Sequence, residues 1–283
     1  MKIYRYFHFL SLDIVAGTLA SSCFAARLLH TNPGIVWWVT LALTVWLLYT
    51  GDHMLDAWKT RKTRKTAQRE LHVFMMKNRR TILWSLLVVA ATDVVLILNL
   101  LDQLLFKYAL VLAGLVLLFY AMRHVFRKNR FLSVPGEFFV LLLYMAGTWL
   151  GPVVPVLHEF NAGEGMVALI FAGVLLMNLG VISLYDMKLD SRMGIASLAN
   201  LLDVKGTRNL LLVTALSIYV VSLLQFLVFE MDRYFKFALI LAGMATILLL
   251  ILYSPSMFRK RDYFRLGADA VLFMGYLALL IKG

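Results

Sequence analysis

Long apolar runs recur along this chain with little between them but short, mostly basic segments. A helix that crosses the hydrocarbon core of a bilayer needs about 20 such residues. Nine segments meet that length approximately: 10–29, 34–56, 81–101, 103–122, 137–157, 165–185, 209–229, 236–254 and 266–281. Composition agrees. Of 283 residues, 61% are hydrophobic and 16% charged, against about 25% charged in a soluble domain. That is too little charge to cover a soluble core of this size, so a soluble single-domain enzyme is excluded. Disorder and a disulfide scaffold are excluded too, the latter by a single cysteine, Cys23. The ten-residue alternation of barrel strands is absent. The expected fold is an all-α integral membrane protein, a bundle of about nine transmembrane helices forming one domain over residues 1–283.

The net charge of +12 is read as topology, with membrane lipid and not nucleic acid as the partner. Two basic residues lie in the N-terminal tail and nine in 58–80, with four after each of the fourth, sixth and eighth spans. With nine spans all of these fall on one side, which the positive-inside rule assigns to the cytoplasm. The expected location is therefore a bacterial inner (cytoplasmic) membrane, with a cytoplasmic N-terminus. Met1–Leu29 has the look of a signal peptide, but Asp13 interrupts its apolar part and Ala20-Ser21-Ser22-Cys23 is a poor cleavage site. A retained first span is expected.

Ionisable residues at the ends of apolar spans are costly to place and therefore mark candidate sites. Two clusters end even-numbered spans. Tyr49-Thr50-Gly51-Asp52-His53-Met54-Leu55-Asp56 ends the second, and Tyr185-Asp186-Met187-Lys188-Leu189-Asp190-Ser191-Arg192 ends the sixth. Each holds two aspartates at i, i+4, one helix face and about 5–6 Å apart. Two such pairs facing one another across a cavity would hold Mg²⁺, a hard cation that takes carboxylates and substrate phosphates together. Asp52, Asp56, Asp186 and Asp190 are thus the candidate metal ligands and catalytic carboxylates. Lys59, Arg123, Lys188 and Arg192 are candidates for the remaining phosphate charge. For a single pair, the commoner arrangement is aspartates lying in the head-group layer and paired with loop bases.

The stretch 186–199 resembles the second aspartate motif of the UbiA superfamily of intramembrane prenyltransferases, D-x-x-x-D-R-x-x-G-x-x-[ST]-L-A. Asp186, Asp190, Gly194, Ser197, Leu198 and Ala199 match, and the arginine comes one position late as Arg192. The end of the second span is similar to the first motif, N-D-x-x-D-x-x-x-D, with departures. Asp52 stands for the Asn, His53 for the first Asp and Thr60 for the last, while Asp56 matches. Tyr120, Arg123 and His124, followed by Pro135, resemble the family's Y-x-x-x-K element.

The resemblance implies a UbiA-like bundle that ionises an allylic isoprenyl diphosphate with Mg²⁺. The prenyl group would then pass to a lipophilic, often aromatic, acceptor. It makes His53 and His124 further diphosphate contacts and Tyr120 a catalytic residue. The altered first motif also admits a terpene cyclase that needs no acceptor, or a non-catalytic prenyl-lipid binder. Tyr120 and Tyr185 flank the motifs and could face a carbocation. Asn178, eight residues before Asp186, points either into the cavity or across to a neighbouring helix. Asp13, Asp93 and Asp269 are acids within spans. Asp13 and Asp269 are expected near the site or near each other's helices, and Asp93 carries no assigned role. His72 is expected in a solvated loop.

Overall fold

The computed structural model describes residues 2–62, 70–125, 136–193, 196–229, 232–258 and 263–281. No strand occurs among them. In hydrocarbon a backbone N–H or C=O has no water to turn to, so an open chain must satisfy these groups within its own helix. The helices are α1 (Lys2–Phe9), α2 (Leu12–Leu28), α3 (Gly34–Lys62), α4 (Glu70–Lys77), α5 (Arg79–Leu100), α6 (Gln103–Val125) and α7 (Gly136–Val153). They continue with α8 (Ala162–Met193), α9 (Leu198–Phe229), α10 (Asp232–Tyr253), the one-turn α11 (Pro255–Phe258) and α12 (Tyr263–Val271). A 3-10 helix, Leu272–Leu280, carries α12 onward.

Among the described residues, seven segments are long and apolar enough to cross a membrane: Gly34–Trp58, Arg79–Leu100, Gly136–Val156, Ala162–Arg192, Leu198–Leu227, Tyr234–Tyr253 and Tyr263–Leu280. The chain is therefore an all-α, multi-pass membrane protein. Two further expected spans are helical but shorter by this measure. α2 has 17 residues, and the apolar part of α6 is Gln103–Leu118. The two-residue break between α5 and α6 falls at Leu101-Asp102, within a residue of the boundary between the expected spans 81–101 and 103–122. Asp102 Oδ1 accepts the Leu104 N–H at 2.8 Å and so caps α6.

α8 is the most enclosed of the spanning segments and α5 the least. α8 packs on α7, α9, α10 and α12. An aromatic cluster ties its first half to its neighbours. The Phe24 ring on α2 meets Phe237 on α10 edge-on at 5.2 Å, and lies 5.6 Å from Phe171 on α8. Trp149 of α7 closes the group at 5.7 Å from Phe171. This solid core fills one end of the bundle. The other end, where α2 starts and α3 and α8 finish, is hollow.

Three expectations change. The first expected span, 10–29, is a single helix, α2, but begins two residues late: the chain breaks at Leu10-Ser11 between α1 and α2, where Ser11 has φ 57°. A non-glycine residue stays in that region only when its surroundings hold it there. α3 supplies the hold, since Trp46 Nε1 donates to the Leu10 carbonyl at 2.9 Å and His53 Nδ1 shares a 3.2 Å hydrogen bond with Ser11 Oγ. The segment 58–80 is not wholly a basic loop. It contains α4, whose Phe74 ring packs 5.4 Å from Phe9 and 6.0 Å from Tyr6 of α1. His72 sits partly buried on that helix instead of in solvent.

Asp93, left without a role by the sequence, is buried between α5 and α3. It accepts a hydrogen bond from Thr44 Oγ1 at 2.7 Å, and its other oxygen has no partner. Thr44→Val is expected to destabilise the fold by about 1–3 kcal/mol, the cost of a buried polar group losing its bond. Thr44→Ser, which keeps the hydroxyl, should restore most of that loss. Unfolding of the two variants by denaturing detergent checks the pair, and equal loss in both would refute the assignment.

Candidate functional site: an amphiphilic cavity in the bundle

The hollow end opens a cavity of about 1560 Å³. Along α3 its lining runs from Trp37 to His53, sixteen residues and therefore about 24 Å of helix. That is most of the thickness of a bilayer's hydrocarbon core. The deep wall is apolar and comes from α3, α5, α6 and α7: Trp37, Leu41, Val45, Ile97, Leu101, Leu112, Val116, Leu141 and Leu150. At its bottom Gly151 of α7 lies flat against the Trp37 ring. A Cβ on Gly151 would stand 2.3 Å from that ring, so only glycine lets α7 approach it.

The mouth is polar and carries both signs of charge. His8, Asp13, Asp52, His53, Glu70, Tyr263, Arg265 and Asp269 line it. They come from five elements. α1 brings His8, α2 Asp13, α3 Asp52 and His53, α4 Glu70, and α12 Arg265 and Asp269; Tyr263 also belongs to α12. Asp13 is fully buried at the first turn of α2, where a helix N-terminus favours an anion. Its Oδ1 accepts the Ile14 N–H at 3.0 Å, and its Oδ2 accepts from His8 Nδ1 at 2.5 Å. Asp269 is partly buried beside them. One ligand atom each of His8, Asp13 and Asp269 lies within 4.8 Å of the other two.

Arg265 stands one turn before Asp269 on α12. Its guanidinium pairs with Asp186 Oδ2 on α8. The Arg265 side chain is 31% exposed and the Asp186 side chain 10%. The buried Arg265 Nε makes no hydrogen bond. Asn178 of α8 donates to the Ala268 carbonyl at 2.7 Å and so locks α12 against α8. It also lines the cavity, so both readings of this residue hold.

The sequence-derived residues separate into three groups. Asp52, His53 and Asn178 line the cavity. Asp56, Asp186, Asp190, Lys188, Arg192 and Tyr185 do not. Asp186 reaches its edge only through Arg265, while Asp56 and Asp190 lie one turn further on and are partly buried. Lys188 and Arg192 are exposed. Tyr185 is turned away, stacked on Phe264 with centroids 4.5 Å apart, and donates to the Ile251 carbonyl at 2.8 Å. The picture of two aspartate pairs facing one another across the cavity is thus corrected. One member of the first pair faces it, and the acids opposite are Asp13 and Asp269. The cause is helical rotation. α3 and α8 run on past the expected span ends, to Lys62 and Met193, so i, i+4 residues climb away from the mouth instead of turning over it. The side chains of Lys59, Thr60, Tyr120, Arg123 and His124, and Pro135 and Gly194, lie outside the described residues.

Ser197, Leu198 and Ala199, the end of the second motif, are buried and anchor the start of α9. The Leu198 N–H donates to Glu137 Oε1 at 2.8 Å and the Ala199 N–H to Ser183 Oγ at 3.1 Å. His8, Glu70, Tyr263 and Arg265 are the mouth residues the sequence reading did not single out. Comparison with protein families, with curated proteins and with solved structures finds no match. Fold and site together define a multi-pass helical membrane protein with an internal amphiphilic cavity.

Proposed function

We propose that this chain is an intramembrane prenyltransferase of UbiA type, with α2 and α6 as two further spans that bring the count to nine. It takes an allylic isoprenyl diphosphate from the membrane and passes the prenyl group to a lipophilic acceptor. The observation that carries this reading is the polarity of the cavity. A largely apolar trough, from Trp37 to Leu48 along α3 and so about 16 Å deep, suits an isoprenoid tail, and a mouth of mixed charge suits the diphosphate. The orphaned Nε of Arg265 offers an anion one more donor. The hollow end, with its basic flanks, would face the cytoplasm.

Mg²⁺ would be taken up at the mouth beside Asp52, which lines the cavity, and Asp186, outside the lining and paired with Arg265, would join it on opening of that pair. Their hard oxygen donors fit the ion. When bound, it supplies positive charge to the departing diphosphate. Arg265 and His53 would orient the phosphates, and the packed apolar wall would exclude water from the allylic cation. The Arg265–Asp186 pair also gives a specific reason to keep the non-catalytic binder in view, because it occupies one carboxylate that a metal would need.

The deciding experiment incubates purified protein with Mg²⁺ and C10 to C20 allylic diphosphates, with and without aromatic acceptors, and follows pyrophosphate and organic products. Asp52→Asn and Asp186→Asn should each lower turnover by about 10²–10³, the usual cost of losing one electrostatic contact to a developing charge. Cyclic products without acceptor would make the chain a cyclase. Mg²⁺-dependent binding with no pyrophosphate release under any condition would make it a binder. Neither binding nor release would overturn the prenyl reading altogether.

A further inference from the structure

We propose that His8, Asp13 and Asp269 form a binding site for one divalent transition-metal ion at the mouth of the cavity, separate from the two aspartate pairs. Three elements from opposite ends of the sequence meet there, and each offers one ligand atom within 4.8 Å of the others. All three residues line the cavity, so a metal held by them would keep coordination positions open toward it. That is the arrangement of a working site rather than a closed structural one.

The charge balance asks for a cation. Two carboxylates and an imidazole stand together in a cleft with apolar walls, where uncompensated charge is expensive. The nearest strong cation, Arg265, is already engaged by Asp186. The donor set then selects among ions. Mg²⁺ and Ca²⁺ take oxygen ligands, whereas an imidazole nitrogen with two carboxylates suits Mn²⁺, Fe²⁺ or Zn²⁺.

The ligands are also oriented before any ion arrives. The Ile14 N–H holds Asp13 Oδ1 and leaves Oδ2 turned toward His8. The Asn178 bond to the Ala268 carbonyl fixes the turn of α12 that carries Asp269. Trp46 and His53 hold the α1–α2 break that swings His8 back over Asp13. Such outer contacts orient metal ligands and tune them. On binding, the proton between His8 Nδ1 and Asp13 Oδ2 leaves, and the two atoms move apart from 2.5 Å.

The test is metal binding with no diphosphate present, so it stands or falls apart from the prenyl reading. Purified full-length protein is titrated with Mn²⁺ and followed by electron paramagnetic resonance, with Zn²⁺ as competitor. Thermal unfolding is recorded with and without the ion, since a ligand that binds only the folded state stabilises it. In excess Mg²⁺, which occupies any site of aspartate oxygens alone, one saturable Mn²⁺ per chain is expected, displaced by Zn²⁺. Affinity should fall at least tenfold in Asp269→Asn and in His8→Gln, and stay unchanged in Glu159→Gln, whose side chain is exposed and outside the cavity. His8 is the partly exposed member, so its variant decides the matter if Asp269→Asn does not fold. No saturable binding, or binding that survives His8→Gln unchanged or is lost in Glu159→Gln, overturns the site.

Discussion

An Arg265→Ala variant is expected to unfold about 3 kcal/mol more easily than the parent protein. Removing one partner of a largely buried ion pair strands the other, and measured costs for that run to about 3–5 kcal/mol. The lower end applies here because Arg265 is 31% exposed and Asp186 10%, so water screens part of the charge. The loss should come from the abandoned Asp186 carboxylate on α8. Pairing Arg265→Ala with Asp186→Asn should therefore recover much of it. Equilibrium unfolding in mixed micelles of the parent, both single variants and the double variant gives the coupling between the two residues. A coupling below about 0.5 kcal/mol would place the pair among solvated ones of little consequence.

Gly275→Ala is expected to be nearly as costly, at about 3 kcal/mol, although it adds one methyl group. A Cβ on Gly275 would stand 2.6 Å from the Ala20 carbonyl oxygen and 2.9 Å from its carbon. The obstacle is backbone, which cannot turn aside as a side chain can, so the C-terminal 3-10 helix and α2 must separate. Overpacking of this kind costs typically about 1–3 kcal/mol. Gly114→Ala is the matched control: it lies in α6 with nothing within 4 Å of the added atom, and should be neutral or stabilising by up to about 1 kcal/mol. If both substitutions behave alike in thermal unfolding, the close approach of the two helices is wrong.

Most of the architecture could be read from the chain because hydrocarbon leaves the backbone little choice. Helix positions follow the apolar runs, and a capping aspartate such as Asp102 marks where one stops and the next begins. Rotation and breaks were less legible. Residues 8 and 13 on an unbroken helix would sit about 140° apart around the axis. Only the left-handed turn at Ser11 brings His8 onto Asp13, and its causes are Trp46 and His53, over thirty residues downstream. Arg265 read as one more loop base after the eighth span; its place on α12 depends on where that helix begins. The acids within spans carried better signal. Asp13 and Asp269 were expected near one another's helices, and they meet. The i, i+4 spacing of the motif aspartates says that each pair shares a face, but not which way the face points.

The contact of α2 with the final 3-10 helix, where Gly275 rests on Ala20, also sets an order of assembly. Membrane helices enter the bilayer as the ribosome delivers them, first to last. Asp13 is made more than two hundred residues before Arg265 and Asp269. Between those moments the α2 acid, a buried charge without its eventual neighbours, must wait in the membrane while more than two hundred residues are inserted. Closing so long a loop is intrinsically slow. The mouth of the cavity therefore comes into being in a single late step, when α12 docks, and nothing that depends on it can begin before then.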